Sequence, residues 1–179
     1  LLQSVVNTPG EKISNLKLLT PWEEEALIVG FNNNEADYPK NKSIVDLFEE
    51  QVLKTPGKTA IEFEDSVLSY AALNEKANQL AHYLQQKGIN KEVLVPICIE
   101  RSTEMIVGML GILKAGGGYV PIDPQYPLDR ISYMLEDVGT KLVVTSQECR
   151  SKLDSLGGAI VVDLNNDWPR ISNQSSSNL

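Results

Sequence analysis

From Val93 to Asp123 the chain reads VLVPICIERSTEMIVGMLGILKAGGGYVPID, and few folds accommodate such a stretch. Val93 to Ile99 is a continuous apolar run, Met105 to Leu113 carries no charge, and Tyr119 to Ile122 is apolar and partly β-branched. The pattern predicts strand, helix, strand. Apolar runs without alternation belong to strands covered on both faces, the habit of parallel sheets, and parallel neighbours require a crossover, here helical and right-handed. Ser102 is placed to cap the helix, and Glu104 puts a negative charge in its first turn, at the positive end of the dipole. Gly108 and Gly111, three apart, weaken that helix unless something packs very close to the face they share. A buried central helix is therefore expected over Ser102–Ala115.

Gly116, Gly117 and Gly118 invite comparison with a nucleotide-binding loop, but the order of elements opposes it. Phosphate loops run strand, glycines, helix, so that free N–H groups and the positive helix end meet the anion. Here the glycines follow a helix and sit at its carbonyl end. They are expected to supply a left-handed C-cap and a tight turn into the next strand.

Strand and helix alternate through the rest of the chain. Ser43-Ile44-Val45-Asp46 opens a helix in the manner of a capping box, with Ile44, Leu47, Phe48 and Val52 along one face and Thr55-Pro56-Gly57 ending it. Ile61 and Phe63 alternate with Glu62 and Glu64 before Val67-Leu68, which predicts a hairpin with one wet face. Ser69 caps a helix whose Tyr70, Leu73, Ala77, Leu80, Ala81 and Leu84 recur at spacings of three and four. After the central unit come a helix from Pro127, with Leu128, Ile131, Leu135 and Val138 on one face and Gly139 closing it, and a strand from Leu142 to Thr145. A helix capped by Ser146 and running to about Ser155, a break at Gly157-Gly158 and a last strand from Ala159 to Leu164 follow. The prediction is a mostly parallel, three-layer α/β sheet. SNQSSSNL at the end is too polar to pack and reads as a truncated loop.

The first 42 residues differ. LLQSVV starts with Leu rather than Met, as though a helix were already under way, and Thr8-Pro9-Gly10 ends it. ISNLKLL reads as extended, and TPWE forms a capping box around Thr20, Pro21 and Glu23, with Trp22, Ala26, Leu27 and Val29 supplying apolar surface before Gly30. Such a connector needs a neighbour to pack against. The division expected is 1–42 and 43–179.

Candidate chemistry is sparse. A net charge of −8 and a pI near 4.7 disfavour nucleic acid and anionic membranes, and no apolar run approaches the roughly 20 residues that span a bilayer. A location in the cytoplasm is expected. His82 falls opposite the apolar stripe of its helix and reads as solvated. Cys98 and Cys149 read as reduced thiols, since neither belongs to a metal-binding spacing. Glu23-Glu24-Glu25 sits in a first helical turn, where dipole compensation explains it. Asp123 and Asp163 end strands and could face a site, because parallel sheets bind ligands beyond their carboxyl edges.

Two segments resemble one family. LKAGGGYVPIDPQYP, from Leu113 to Pro127, resembles the second core motif of adenylation domains of non-ribosomal peptide synthetases, and LSYAALNEKANQLAHYL, from Leu68 to Leu84, resembles the first. ERSTEMIVGMLGILKAG joins them in the family's order. ISNLKLLTPWEEEALIVGFNNNEADYPKN is similar to the connector between a condensation domain and the adenylation domain that follows. The resemblance implies the incomplete N-terminal portion of an adenylate-forming fold, behind a helical and extended connector.

It also implies a parent that uses ATP and magnesium to activate an amino acid as its adenylate and loads it onto the phosphopantetheine thiol of a carrier domain. The partners implied are the preceding condensation domain, the remainder of the adenylation domain, the carrier domain and the amino-acid substrate. The family's phosphate loop, resembling T-S-G-S-T-G-x-P-K-G, and its catalytic lysine match no position here. No catalytic, cofactor-binding or metal-binding residue is therefore assigned, no cofactor is expected on this chain alone, and it is expected to be inactive by itself. Two other readings stay open: a docking platform without catalysis, and a self-contained small α/β enzyme.

Overall fold

The structure, a computed structural model, describes residues 1–139, 142–154 and 160–179. The expected break at Gly157-Gly158, the end of the helix at Ser155 and the start of the last strand at Ala159 lie outside the described residues. The chain divides into two compact units, Leu1–Asn41 and Lys42–Leu179.

In the first unit, α1 (Leu2–Asn7) stops before the Thr8-Pro9-Gly10 break and α2 (Pro21–Ile28) starts where its capping box puts it. Thr20 Oγ1 accepts from the Glu23 amide at 3.3 Å, and the Glu23 carboxylate accepts from the Thr20 amide at 2.7 Å, the reciprocal box that TPWE encodes. The segment expected to be extended contains a single 3-10 turn, Ile13–Asn15. No residue of these helices is buried, and Ile13 and Trp22 are 88 % and 76 % exposed.

The second unit begins with α3 (Ile44–Lys54), capped reciprocally by Ser43 and Asp46, and the antiparallel hairpin of β1 (Thr59–Phe63) and β2 (Ser66–Ser69). α4 (Tyr70–Gln86) follows, with Ser69 Oγ accepting from the Ala72 amide at 3.2 Å. β3 (Leu94–Cys98), α5 (Thr103–Lys114) and β4 (Gly118–Pro121) make the strand–helix–strand unit. α6 (Leu128–Val138), β5 (Leu142–Thr145), α7 (Gln147–Asp154), β6 (Ile160–Asp163) and a short α8 (Trp168–Ile171) complete it. The strand order is β4-β3-β5-β6, every pair parallel.

Alternate side chains of the sheet enter opposite layers. Val95, Ile97, Val144 and Val162 pack with Leu80 and Leu84 of α4 and with Val107 and Ile112 of α5. Cys98 and Val143 pack with Ile131 of α6 and with Cys149 and Leu153 of α7. That is the three-layer arrangement, and it explains why the strands carry no polar alternation. On α6 the packing face is Ile131, Met134 and Leu135; Leu128 at its start is 45 % exposed.

Helix α5 is central because two neighbours press against it. A Cβ on Gly108 would lie 2.8 Å from Ile97 Cδ1, and one on Gly111 would lie 2.6 Å from Leu80 Cδ2. Both distances are below van der Waals contact, so the glycines let sheet and α4 approach. Val107, Gly108, Gly111 and Ile112 are buried, while Ile106, Met109, Leu110 and Leu113 are half-buried.

At the end of α5, Gly116 has φ +95°. The Gly117 amide donates to the Ile112 carbonyl and the Gly116 amide to the Leu113 carbonyl, both at 3.0 Å. This is a Schellman cap. The Gly118 amide then donates to the Val93 carbonyl at 2.9 Å, which starts the pairing of β4 on β3. Gly116→Ala is expected to lower stability by about 1 kcal/mol or more in denaturant unfolding, because a β-carbon is penalised in the left-handed region and would also press on the Lys91 amide at 3.3 Å. Unchanged stability would remove the C-cap role.

The C-terminal segment departs from the sequence expectation. SNQSSSNL packs, through hydrogen bonds and without apolar burial. Gln79 Nε2 donates to the Ser172 carbonyl at 3.0 Å, and Asn78 Nδ2 donates to the Ser176 carbonyl at 2.7 Å and to Asn178 Oδ1 at 2.9 Å. Asn74 Nδ2 also reaches Asn178 Oδ1 at 3.0 Å, and His82 Nε2 lies 3.1 Å from the Ser177 carbonyl. His82 is thus half-buried against the tail instead of solvated. The polar face of α4 binds backbone, which hydrophobic periodicity does not register.

Candidate functional site

The carboxyl ends of β3, β4 and β5 open onto a cleft of about 1120 Å³. Parallel sheets present ligands with this edge because helix N-termini and the loops after the strands converge there. Two turns shape it. Thr145 Oγ1 donates to the Cys98 carbonyl at 2.7 Å, tying β5 to β3, and the Gln147 amide donates to Asn165 Oδ1 at 3.0 Å, tying α7 to the turn after β6.

The two strand-end aspartates part company here. Asp123 is exposed on the cleft wall, and its Oδ1 accepts from the Gln125 amide at 2.8 Å, which fixes the turn before Pro127. Asp163 is fully buried. Its Oδ1 accepts from the Asn165 and Asn166 amides at 3.0 and 3.1 Å, its Oδ2 accepts from Asn166 Nδ2 at 2.7 Å, and Arg150 Nη1 lies 3.5 Å from Oδ2. Burial pushes its carboxyl pKa up, but the Asn166 and Asn165 hydrogen bonds and Arg150 outweigh that and hold it below the usual aspartate value. Its acceptor capacity serves the turn after β6, so Asp163 is structural.

Cys98 and Cys149 are free and buried in the layer under α6 and α7, and burial pushes the Cys98 thiol up to about 12. A thiol held protonated is a poor nucleophile. Glu23 lies outside the cleft, occupied with the Thr20 cap.

Ser146 is the residue that sequence reading undervalued. Read as a helix cap, it is 4 % exposed at the cleft, and its hydroxyl has no hydrogen-bond partner among the described residues. Only its carbonyl caps α7, accepting from the Cys149 and Arg150 amides at 3.1 and 3.0 Å. Glu64, Glu100, Glu104 and Glu148 give no signal in the sequence either, since each sits in a different loop or first turn and they meet only when the sheet assembles.

Among the described residues the walls of the cleft carry those four glutamates and Asp123 against one cation, Arg101, while Gly116 and Gly117 cap α5 and Gly118 pairs β4 onto β3. Among the described residues no group of three or more His, Cys, Asp or Glu side chains is placed to hold a metal ion, and no helix is long and apolar enough to cross a membrane.

Comparison with known proteins agrees with the fold. Bacitracin synthase 2 of Bacillus licheniformis is 47 % identical over 154 residues, covering 86 % of this chain and 6 % of the synthase. Gramicidin S synthase 2 of Brevibacillus brevis is 42 % identical over 163 residues, covering 91 % of this chain and 4 % of that synthase. Among solved structures, the non-ribosomal peptide synthetase FmoA3 with bound alpha-methyl-L-serine-AMP superposes with a TM-score of 0.72 at 28 % identity, over 80 % of this chain and 16 % of that one. The chain spans a small fraction of the length of each. The model of the family described as AMP-binding enzyme matches residues 48–178, from within α3 to the strapped C-terminal segment. The matched span takes in the whole strand–helix–strand unit and the parallel sheet, and the chain belongs to the AMP-binding enzyme family, holding the N-terminal part of an adenylation domain.

Proposed function

We propose that this chain is the scaffold of an adenylation domain in a non-ribosomal peptide synthetase, whose parent activates an amino acid with ATP and magnesium and transfers it to a carrier-domain phosphopantetheine. The observation that carries the reading is the span of the family match, residues 48–178, which follows the three-layer unit. The chain supplies none of the catalytic groups in this reading. A cleft rimmed by carboxylates repels phosphates, and the glycine triplet offers the negative end of a helix. Residues 1–42 connect this scaffold to a preceding condensation domain, and the exposed Ile13, Trp22 and Phe31 are the apolar surface that such a neighbour would cover.

The test is amino-acid-dependent exchange of pyrophosphate into ATP. The parent is expected to show it with its own amino acid, and the isolated chain to show none. Exchange by the isolated chain would refute the scaffold reading. No exchange by the parent with any proteinogenic amino acid would count against adenylation of that substrate class.

A further inference from the structure

We propose that Asn78 is a positioning residue for adenylation: with Asn74 it clamps the C-terminal segment to α4 and so aims the polypeptide that follows it in the parent. The inference rests on the adenylation reading above, in which the reacting groups lie outside these 179 residues.

The direction of the segment follows from its partners. Gln174 Oε1 accepts from Gln86 Nε2 at 2.7 Å, in the last turn of α4. The Ser177 carbonyl lies 3.1 Å from His82 Nε2, a turn earlier in the helix. Asn178 Oδ1 accepts from Asn78 Nδ2 at 2.9 Å and from Asn74 Nδ2 at 3.0 Å, earlier still. The segment therefore runs antiparallel to α4. Helix α4 itself points from the carboxyl edge of the sheet to the amino edge. Its end leads through residues 87–93 into the start of β3, and Lys76 near its beginning shares a pocket with Thr103 and Asn165, which follow β3 and β6. A segment antiparallel to α4 travels parallel to the strands, so it passes Asn178 on its way to the carboxyl edge.

Asn78 is the centre of this clamp. It is fully buried, and its Nδ2 is fully used, on the Ser176 carbonyl at 2.7 Å as well as on Asn178. Asn74 Oδ1 and Asn78 Oδ1 are buried with no partner among the described residues, and a buried amide oxygen is costly unless a donor reaches it. Asn178 touches both side chains, so backbone N–H groups just beyond it in the parent are placed to supply the donors. Helix α4 does not depend on the clamp, since Leu73, Leu80 and Leu84 anchor it in the core. Residues 172–178, SNQSSSN, have no apolar side chain to hold them otherwise. A displacement of about 1 Å in a reacting group can cost about a hundredfold in rate, which is how a contact remote from the chemistry acts on it.

The experiment measures single-turnover formation of aminoacyl-adenylate by the parent from its own amino acid and ATP, with pyrophosphatase present. Amplitude counts folded enzyme, and rate reports the placement of reacting groups. Asn178→Ala removes the shared acceptor at an exposed position, so the fold survives, and it should slow the reaction about tenfold at unchanged amplitude. Asn178→Asp, whose carboxylate still accepts from both amides, should restore the rate to within about twofold of wild type. Asn78→Ala, which also releases the Ser176 carbonyl, should slow it further. Glu49→Ala, which breaks the ion pair with Lys114 between α3 and α5, costs stability and should leave the rate unchanged.

An unchanged rate in Asn178→Ala, whether or not the amplitude falls, would make the clamp a structural contact only and overturn the proposal. So would slowing that Asn178→Asp does not relieve, or equal slowing by Glu49→Ala. A wild-type parent that forms no adenylate refutes the adenylation reading itself, and this inference with it, before any variant is compared.

Discussion

Glu49→Ala destabilises the chain by about 2–3 kcal/mol, measured as a shift of the urea midpoint at constant slope. Glu49 on α3 is the ion-pair partner of Lys114 near the end of α5, whose side chain is 1 % exposed and whose ammonium also lies 5.8 Å from the centre of the Phe48 ring. Removing the carboxylate leaves a buried ammonium without its counter-ion, and breaking a pair from one side costs far more than the pair is worth. The loss falls below the roughly 3–5 kcal/mol of fully buried pairs because Glu49 keeps 21 % of its side chain in water.

Lys114→Met in the wild-type background should cost less than Glu49→Ala, since it removes the charge that needs desolvation and keeps the aliphatic volume. A larger loss from Lys114→Met than from Glu49→Ala would mean that the ion pair contributes net stability and that desolvation is not the controlling term.

Asp163→Asn is the second large effect, about 2–3 kcal/mol at neutral pH, because three hydrogen bonds and the Arg150 guanidinium converge on a buried carboxylate and an amide offers them one acceptor instead of two. The pH dependence has a definite sign. The folded carboxyl titrates below its unfolded value, so its stabilisation is complete above the unfolded pKa of about 4 and is lost as pH falls through the folded pKa. The gap between wild type and Asp163→Asn should therefore be constant from neutral pH down to about 5 and close in more acid solution. A gap that persists undiminished well below about pH 4 would show that hydrogen-bond geometry alone, and not the charge, stabilises the turn.

Much of this molecule is legible in the order of its residues. Apolar runs without alternation specify parallel strands with two covered faces, and capping boxes at Thr20 and Ser43 place helix starts because the motif closes within four residues. The glycine triplet is legible for the same reason: whether glycines precede or follow a helix decides if they present donors or acceptors, and that order is written in the chain. Gly108 and Gly111 announce close neighbours on α5, though not that one is Ile97 of the sheet and the other Leu80 of α4.

Other features required the fold. The cleft exists because four short segments, around Glu64, Glu100 to Glu104, Asp123 and Glu148, finish at one edge of a sheet whose strand order runs β4-β3-β5-β6. Nothing local in Glu64 or Glu148 says that they share a rim. The polar C-terminal segment has no apolar period to reveal it, yet Asn78, Gln79 and His82 meet its backbone carbonyls and Asn74 its Asn178 side chain, since polar side chains recognise such groups without any apolar pattern. Asp163 and Asp123 look alike as strand-ending aspartates, and only burial separates the one consumed by its own turn from the one that faces the cleft. Local hydrogen-bond chemistry and hydrophobic period are properties of neighbours in sequence, so sequence determines elements and caps; burial and charge convergence are properties of neighbours in space, and those the tertiary structure decided.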